Sequence, residues 1–156
     1  MLRRLRIEAL TEAPEAFSST LAREKARTEA DWRRWLSPGI TLLLEEAGVA
    51  RGLVAGALDR DDAHIAHLMA MWIDPALRGS GTADLLVQAH FDWARSAGAR
   101  VVRLGVIDTN ARARRLYERH GFRVTGPGPF SADGRREIHM ERPLDEATGL
   151  SGEELP

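Results

Sequence analysis

Apolar residues change their period along the chain, and the changes mark out the elements. Leu2, Leu5, Ala9 and Leu10 recur at helical spacing, and Pro14 breaks the pattern. Pro14 opens a new turn into Ala16-Phe17. A second helix is predicted over Leu21–Leu36, closed by Pro38-Gly39. The period then switches. Ile40–Glu45 and Ala50–Leu58 read as strands joined by a turn at Ala47-Gly48, a hairpin signal. His64–Ile73 is a long apolar strand that stops at Asp74-Pro75. A glycine-rich stretch follows and leads into a helix with Leu86, Ala89, Trp93 and Ala97 on one face, closed by Gly98. Val101–Val106 alternates as a strand. Asn110 can cap a helix over Ala111–His120, with Gly121 beyond its end. Phe122–Thr125 and Glu137–Glu141 read as two more strands around a Gly/Pro loop. The order ααβββαβαββ predicts a mixed α/β fold with one central sheet.

Composition narrows the class. The chain has 156 residues, 44% hydrophobic and 29% charged, which suits one globular core. We expect one domain over residues 1–144 and a polar, disordered tail over 145–156. Lys and Arg total 22 against 23 Asp and Glu, a net charge of −1. That balance argues against a nucleic-acid binder, although Arg112, Arg114, Arg115 and Arg119 crowd one helix; we read them as a solvated face. There is no cysteine, hence no disulfide or thiolate site. No run approaches the ~20 apolar residues of a membrane span. Arg3, Arg4 and Arg6 give the first turn a basic look, but Glu8, Glu12 and Glu15 follow at once, unlike a transit peptide. We expect a cytoplasmic protein without membrane contact. No metal is implied, because no His/carboxylate cluster has ligand spacing.

The segment with chemical content is the strand ending at Ile73 and the turn Arg78-Gly79-Ser80-Gly81-Thr82-Ala83 behind it. A glycine-rich turn at a helix N-terminus offers free backbone N–H groups to an anion, and the helix dipole adds to that. Gly79 and Gly81 let a phosphate approach the backbone. Ser80 and Thr82 can add hydroxyl donors, and Arg78 a guanidinium. The same glycines can also serve simply to turn the chain. The pattern lacks the Gly-Lys-Ser/Thr of a P-loop. Asp84 stands where a dinucleotide-binding fingerprint needs its third glycine.

Arg78-x-x-Gly81-x-Ala83 resembles the Q/R-x-x-G-x-G/A pyrophosphate motif of the GNAT superfamily of N-acetyltransferases. Met71-Trp72-Ile73-Asp74-Pro75 resembles the end of that family's fourth strand. Downstream, Asn110-x-x-Ala113-x-x-Leu116-Tyr117-Glu118-x-x-Gly121-Phe122 is similar to its N-x-x-A-x-x-L-Y-x-x-x-G-F segment. The resemblance is strong over Leu68–Thr125. It is looser over Pro14–Trp35, which is similar to members with small acceptors. It implies an acyl-CoA N-acyltransferase fold in which two central strands splay apart. It further implies acetyl-CoA as co-substrate, held by Met71, Trp72, Ile73, the Arg78–Ala83 turn and Asn110. The pantetheine arm would pair with the open strand edge as a peptide does.

The same resemblance makes Tyr117, the only tyrosine, the acid that protonates the departing thiolate. Its bland alternative is packing between helix and sheet; that of Asn110 is a plain N-cap. No Glu lies within His64–Ile73, a departure from many family members. The amine's proton could go to Glu24, to His67, or to no dedicated base. A second departure is helical character almost from Met1, where the family opens with a strand. The expected activity is transfer of an acetyl group to a primary amine of a small molecule or peptide. The alternative is a non-catalytic acyl-CoA-binding module. The sequence leaves room for a homodimer.

Overall fold

The computed structural model describes residues 1–35, 38–131 and 133–145. The expected tail lies outside the described residues from position 146 onward. Among the described residues five helices and six strands follow the expected order but for one extra helix near the start: α1 (Leu2–Glu12), α2 (Leu21–Lys25), α3 (Glu29–Trp35), β1 (Ile40–Glu46), β2 (Val49–Leu58), β3 (Ile65–Ile73), α4 (Thr82–Ser96), β4 (Val101–Ile107), α5 (Ala111–Arg119), β5 (Arg123–Phe130) and β6 (Arg136–Pro143). Short 3-10 turns at Pro14–Ala16 and Pro75–Leu77 begin at proline, whose fixed φ suits a first helical position.

Three expectations need correction. The second helix is two helices, because Thr28 starts a new one. Its Oγ1 accepts from Asp31 N at 3.1 Å, while Asp31 Oδ2 accepts from Thr28 N at 2.8 Å. This reciprocal cap satisfies N–H groups that a continuous helix would have used. In α4 the buried stripe is Leu86, Val87, His90, Phe91 and Ala94, rotated from the expected face. Strands β5 and β6 end later than expected, β5 running through Gly126-Pro127-Gly128-Pro129 and β6 reaching Pro143. The prolines are tolerated because β5 is an edge strand paired only with β6.

The sheet order is β1-β2-β3-β4-β6-β5. The β1–β2 hairpin turns at Ala47 and Gly48, with φ of 50° and 78°, as a two-residue hairpin requires. One core lies between the sheet and α4, built on Val54, Phe91, Val102, Leu104, Phe122 and Met140. A second packs Leu5, Ala9 and Leu10 of α1 against Leu53 and Trp72. Among the described residues no strand precedes β1, and α1 is the first element.

The feature that positions the site is at the sheet's centre. Parallel β3 and β4 pair only over Ile65–His67 and Val101–Arg103. Beyond that the strands separate: β3 stays on β2, and β4 follows β6 over its whole length. The upper half of β3 also carries a bulge. Leu53 pairs with Trp72 but Ala55 pairs with Met69, leaving Ala70 and Met71 opposite Val54 alone. Ala70 adopts φ 57°, a left-handed conformation costing a non-glycine residue ~1–2 kcal/mol. A bulge of this kind re-aims the backbone beside a site.

Candidate active site

Two cavities open on either side of the splay. The larger, about 1070 Å³, runs from the Gly79–Gly81 turn past Ile73, Trp72 and Met71 to the N-terminal half of α5. The smaller, about 430 Å³, lies under α1 and α2 and reaches Met69, Gly105, Glu137 and His139. Both are lined by Phe17, Met71, Asn110, Ala113 and Tyr117. They therefore meet at Tyr117.

The larger cavity combines apolar residues, two glycines and charged residues from α1, the turn and α5. Gly79 and Gly81 have φ of 80° and 84° and open space where a Cβ would stand, so the turn presents bare main chain at the start of α4. Of the residues predicted for this half, Met71, Trp72, Ile73, Arg78, Gly79, Gly81, Ala83 and Asn110 line the cavity. Ser80 and Thr82 do not; Ser80 Oγ donates to Leu77 O and contacts Thr82 Oγ1 at 2.5 Å. Asn110 caps α5, its Oδ1 accepting from Ala113 N at 3.2 Å.

Arg78 is not free. Its guanidinium makes a two-pronged ion pair to Glu12 of α1, at 3.0 and 2.7 Å, and Trp72 Nε1 donates to the same carboxylate at 3.1 Å. The Arg78 hydrogen bonds hold the Glu12 carboxyl below its ordinary range. Nearby, Asp84 accepts from His120 at 2.6 Å and Arg119 at 2.9 Å, which lowers its pKa in the same way. Of the arginines on α5, Arg112 and Arg119 face this cavity.

The smaller cavity is charged. Glu24 is buried, with Arg27 Nε at 2.5 Å and Arg6 Nη2 at 3.6 Å. Burial works against its ionisation. The Ser19 hydroxyl and the two guanidiniums outweigh it, and the carboxyl sits below the usual range. Arg6 stacks on Phe17, 4.7 Å from the ring centroid, and burial lowers its pKa. Its Nε and Nη1 are buried without a partner. On the opposite wall Glu137 behaves differently: burial raises its pKa, opposed only by His139. Residue types alone could not distinguish Glu24 from Glu137.

Tyr117 is buried, packs edge-on against Phe122 at 5.6 Å, and borders both cavities, so packing and exposure to the junction coexist. Burial pushes its phenol well above the ordinary value, so it carries its proton at any working pH. His67 borders neither cavity; its Nε2 is 2.8 Å from Asp59 Oδ2. Sequence reasoning missed Arg135. Its guanidinium donates to Pro14 O and Phe17 O, at 3.2 and 2.9 Å, and to Glu15 O. It thereby staples the β5–β6 loop to the rim shared by both cavities. Among the described residues no group of His, Asp and Glu is placed to hold a metal ion.

This geometry agrees with what the chain is similar to. Residues 4–122 match the family model described as acetyltransferase (GNAT) family. A mycothiol acetyltransferase of Beutenbergia cavernae is 30% identical over 118 residues, covering 76% of this chain and 39% of that protein. One of Thermobispora bispora is 33% identical over 122 residues, covering 76% and 40%. The chain thus spans about two-fifths of the length of these relatives. Among solved structures, a GCN5-related N-acetyltransferase from Kribbella flavida superposes with TM-score 0.71 at 27% identity, covering 89% of this chain and 88% of that one. Ard1 from Thermoplasma volcanium gives 0.68 at 25% identity, covering 77% and 82%.

Proposed function

The chain belongs to the acetyltransferase (GNAT) family, and from that premise we propose that it moves the acetyl group of acetyl-CoA to a primary amine of a small molecule or peptide. The observation that carries the reading is the meeting of two cavities at Tyr117 in the gap between β3 and β4. One runs from a glycine turn along an unpaired strand edge, as a phosphate-bearing cofactor with a narrow arm needs. The other is compact and charged, as a small polar acceptor needs.

The residues present fit coenzyme A. The Gly79–Gly81 turn opens α4 with its N–H groups free of side chains, suited to a pyrophosphate. Arg78 and Arg112 line the same cavity and add positive charge. The β3 edge from Leu68 to Ile73 is unpaired on the side of β4, so its backbone can bond the arm's amides. Acetyl-CoA would supply the activated carbonyl. Tyr117, always protonated and buried at the junction, would supply a hydrogen bond or proton to the departing sulfur.

Calorimetry with coenzyme A and thiol release with a panel of amines test the proposal. Tyr117→Phe should lower kcat ~100-fold while coenzyme A affinity stays constant. A Phe variant with full kcat, under conditions where chemistry limits the rate, would return Tyr117 to packing. Coenzyme A binding without turnover of any amine would favour a non-catalytic acyl-CoA-binding module.

A further inference from the structure

We propose that Glu137 receives the acceptor as an ammonium ion and takes its proton. The inference rests on the acetyl-transfer reading and assigns the acceptor half of the site. Glu137, the second residue of β6, lies opposite Ile107, at the level where β4 has left β3. It lines the smaller cavity with Tyr117 and Met71, so a small molecule held there shares one cavity with the carboxylate and the junction.

Two features separate Glu137 from the other carboxylate in this cavity. Its Oε2 lies 3.1 Å from where a Cβ of residue 105 would stand, so the carboxylate rests close against β4 at Gly105. Among the described residues no cation is bonded to it, whereas Glu24 is held by Arg6 and Arg27. The charged and titratable groups around the cavity are Arg6, Arg23, Glu24, Arg27, Tyr117 and His139. Only His139 opposes the effect of burial on Glu137. A half-buried carboxylate without a partner is completed by an incoming cation, and its raised pKa makes it a better proton acceptor than Glu24.

The proton balance is simple. The ammonium gives one proton to Glu137, and the neutral nitrogen forms the N–C bond to the acetyl carbon as the C–S bond breaks. The nitrogen then loses a second proton and the thiolate gains one, by way of Tyr117 or solvent. One proton is released per turnover. The assignment selects basic alkylamines, which arrive protonated at neutral pH. Arylamines are already neutral and gain nothing from a base.

The test uses the full chain loaded with coenzyme A. Carboxyl carbon NMR, with the Glu137 signal assigned by its loss in Glu137→Gln, should show titration above the ordinary glutamate value of about 4.3. An ordinary value overturns the inference without reference to turnover. For the fastest alkylamine of the panel, Glu137→Gln should lower kcat/KM ~100-fold at pH 7. The loss should shrink as pH rises towards the amine's own pKa, where solution supplies the neutral form. A loss independent of pH marks a structural role and overturns the proposal. So does a profile whose acid limb survives in Glu137→Gln and disappears in Glu24→Gln. Failure of the acetyl-transfer reading looks different: coenzyme A binds and no amine reacts even with the unmutated chain, and the assignment falls with it.

Discussion

The two cavities that meet at Tyr117 are built from different materials. The larger runs along two left-handed glycines and an unpaired strand edge; of the charged groups lining it, Arg78 pairs with Glu12 and Asp84 with Arg119 and His120, and Glu15 and Arg112 complete the set. The smaller is walled by side chains, with the Arg6–Glu24–Arg27 cluster on one side and Glu137 on the other. Backbone recognition suits a ligand that never changes, because N–H groups cannot be exchanged by substitution. Side-chain recognition suits a ligand that differs among relatives. The contrast predicts that damage to either half stays in that half.

The strongest way to break this contrast is Glu24→Gln. Removing one member of a buried charge cluster leaves Arg6 enclosed with an uncompensated charge, and we expect a loss of ~3 kcal/mol in stability. Coenzyme A affinity of the folded fraction should hold. Because the Glu24 carboxyl is lowered in the folded state, its contribution is present above the ordinary carboxylate range and fades as pH falls through its folded value. Chemical denaturation at pH 7 and pH 3.5 should show the gap between native and variant narrowing in acid.

Gly81→Val probes the other half. It places a branched side chain where none now stands and forces it into φ 84°. Coenzyme A affinity should weaken by ~2 kcal/mol from lost charge-assisted hydrogen bonds, about 30-fold in Kd. Unchanged affinity by calorimetry, in protein shown to be folded, would remove the turn from the cofactor site. The charge cluster around Glu24 should be untouched.

The mildest substitution sharpens the comparison at the rim. Glu12→Gln loosens the tie between α1 and Arg78. Both partners are roughly 30% exposed, so the stability cost should stay within ~1 kcal/mol. The freed guanidinium should bind coenzyme A a few-fold more tightly at low salt, since it no longer leaves a carboxylate to meet a phosphate. Weaker binding would mean that Glu12 orders the turn and does not compete for it.

Much of the larger cavity was legible because its parts are local. A turn from Arg78 to Ala83, a cap at Asn110 and a tyrosine two helical turns further on are properties of short stretches, and hydrophobic periodicity placed each element within a few residues. Two of the expected ligands, Ser80 and Thr82, could offer backbone N–H groups there, but the use made of their side chains was not legible. Their hydroxyls satisfy the turn itself.

The smaller cavity depended on tertiary structure. Arg6, Glu24 and Glu137 come from three elements spread over more than a hundred positions, and Arg135 reaches the carbonyls of Pro14 and Phe17 across nearly the same distance. Sequence by itself determined the order of elements, the glycine turn, the caps and the family. It also carried Glu24 and Glu137 as chemically identical residues. Only packing decided that one would be ringed by guanidiniums and the other laid over a glycine. Only the register of β4 on β6, and its departure from β3, decided that Glu137 would share a cavity with Tyr117. Burial and charge partnership arise between segments, and no local pattern of residues encodes them.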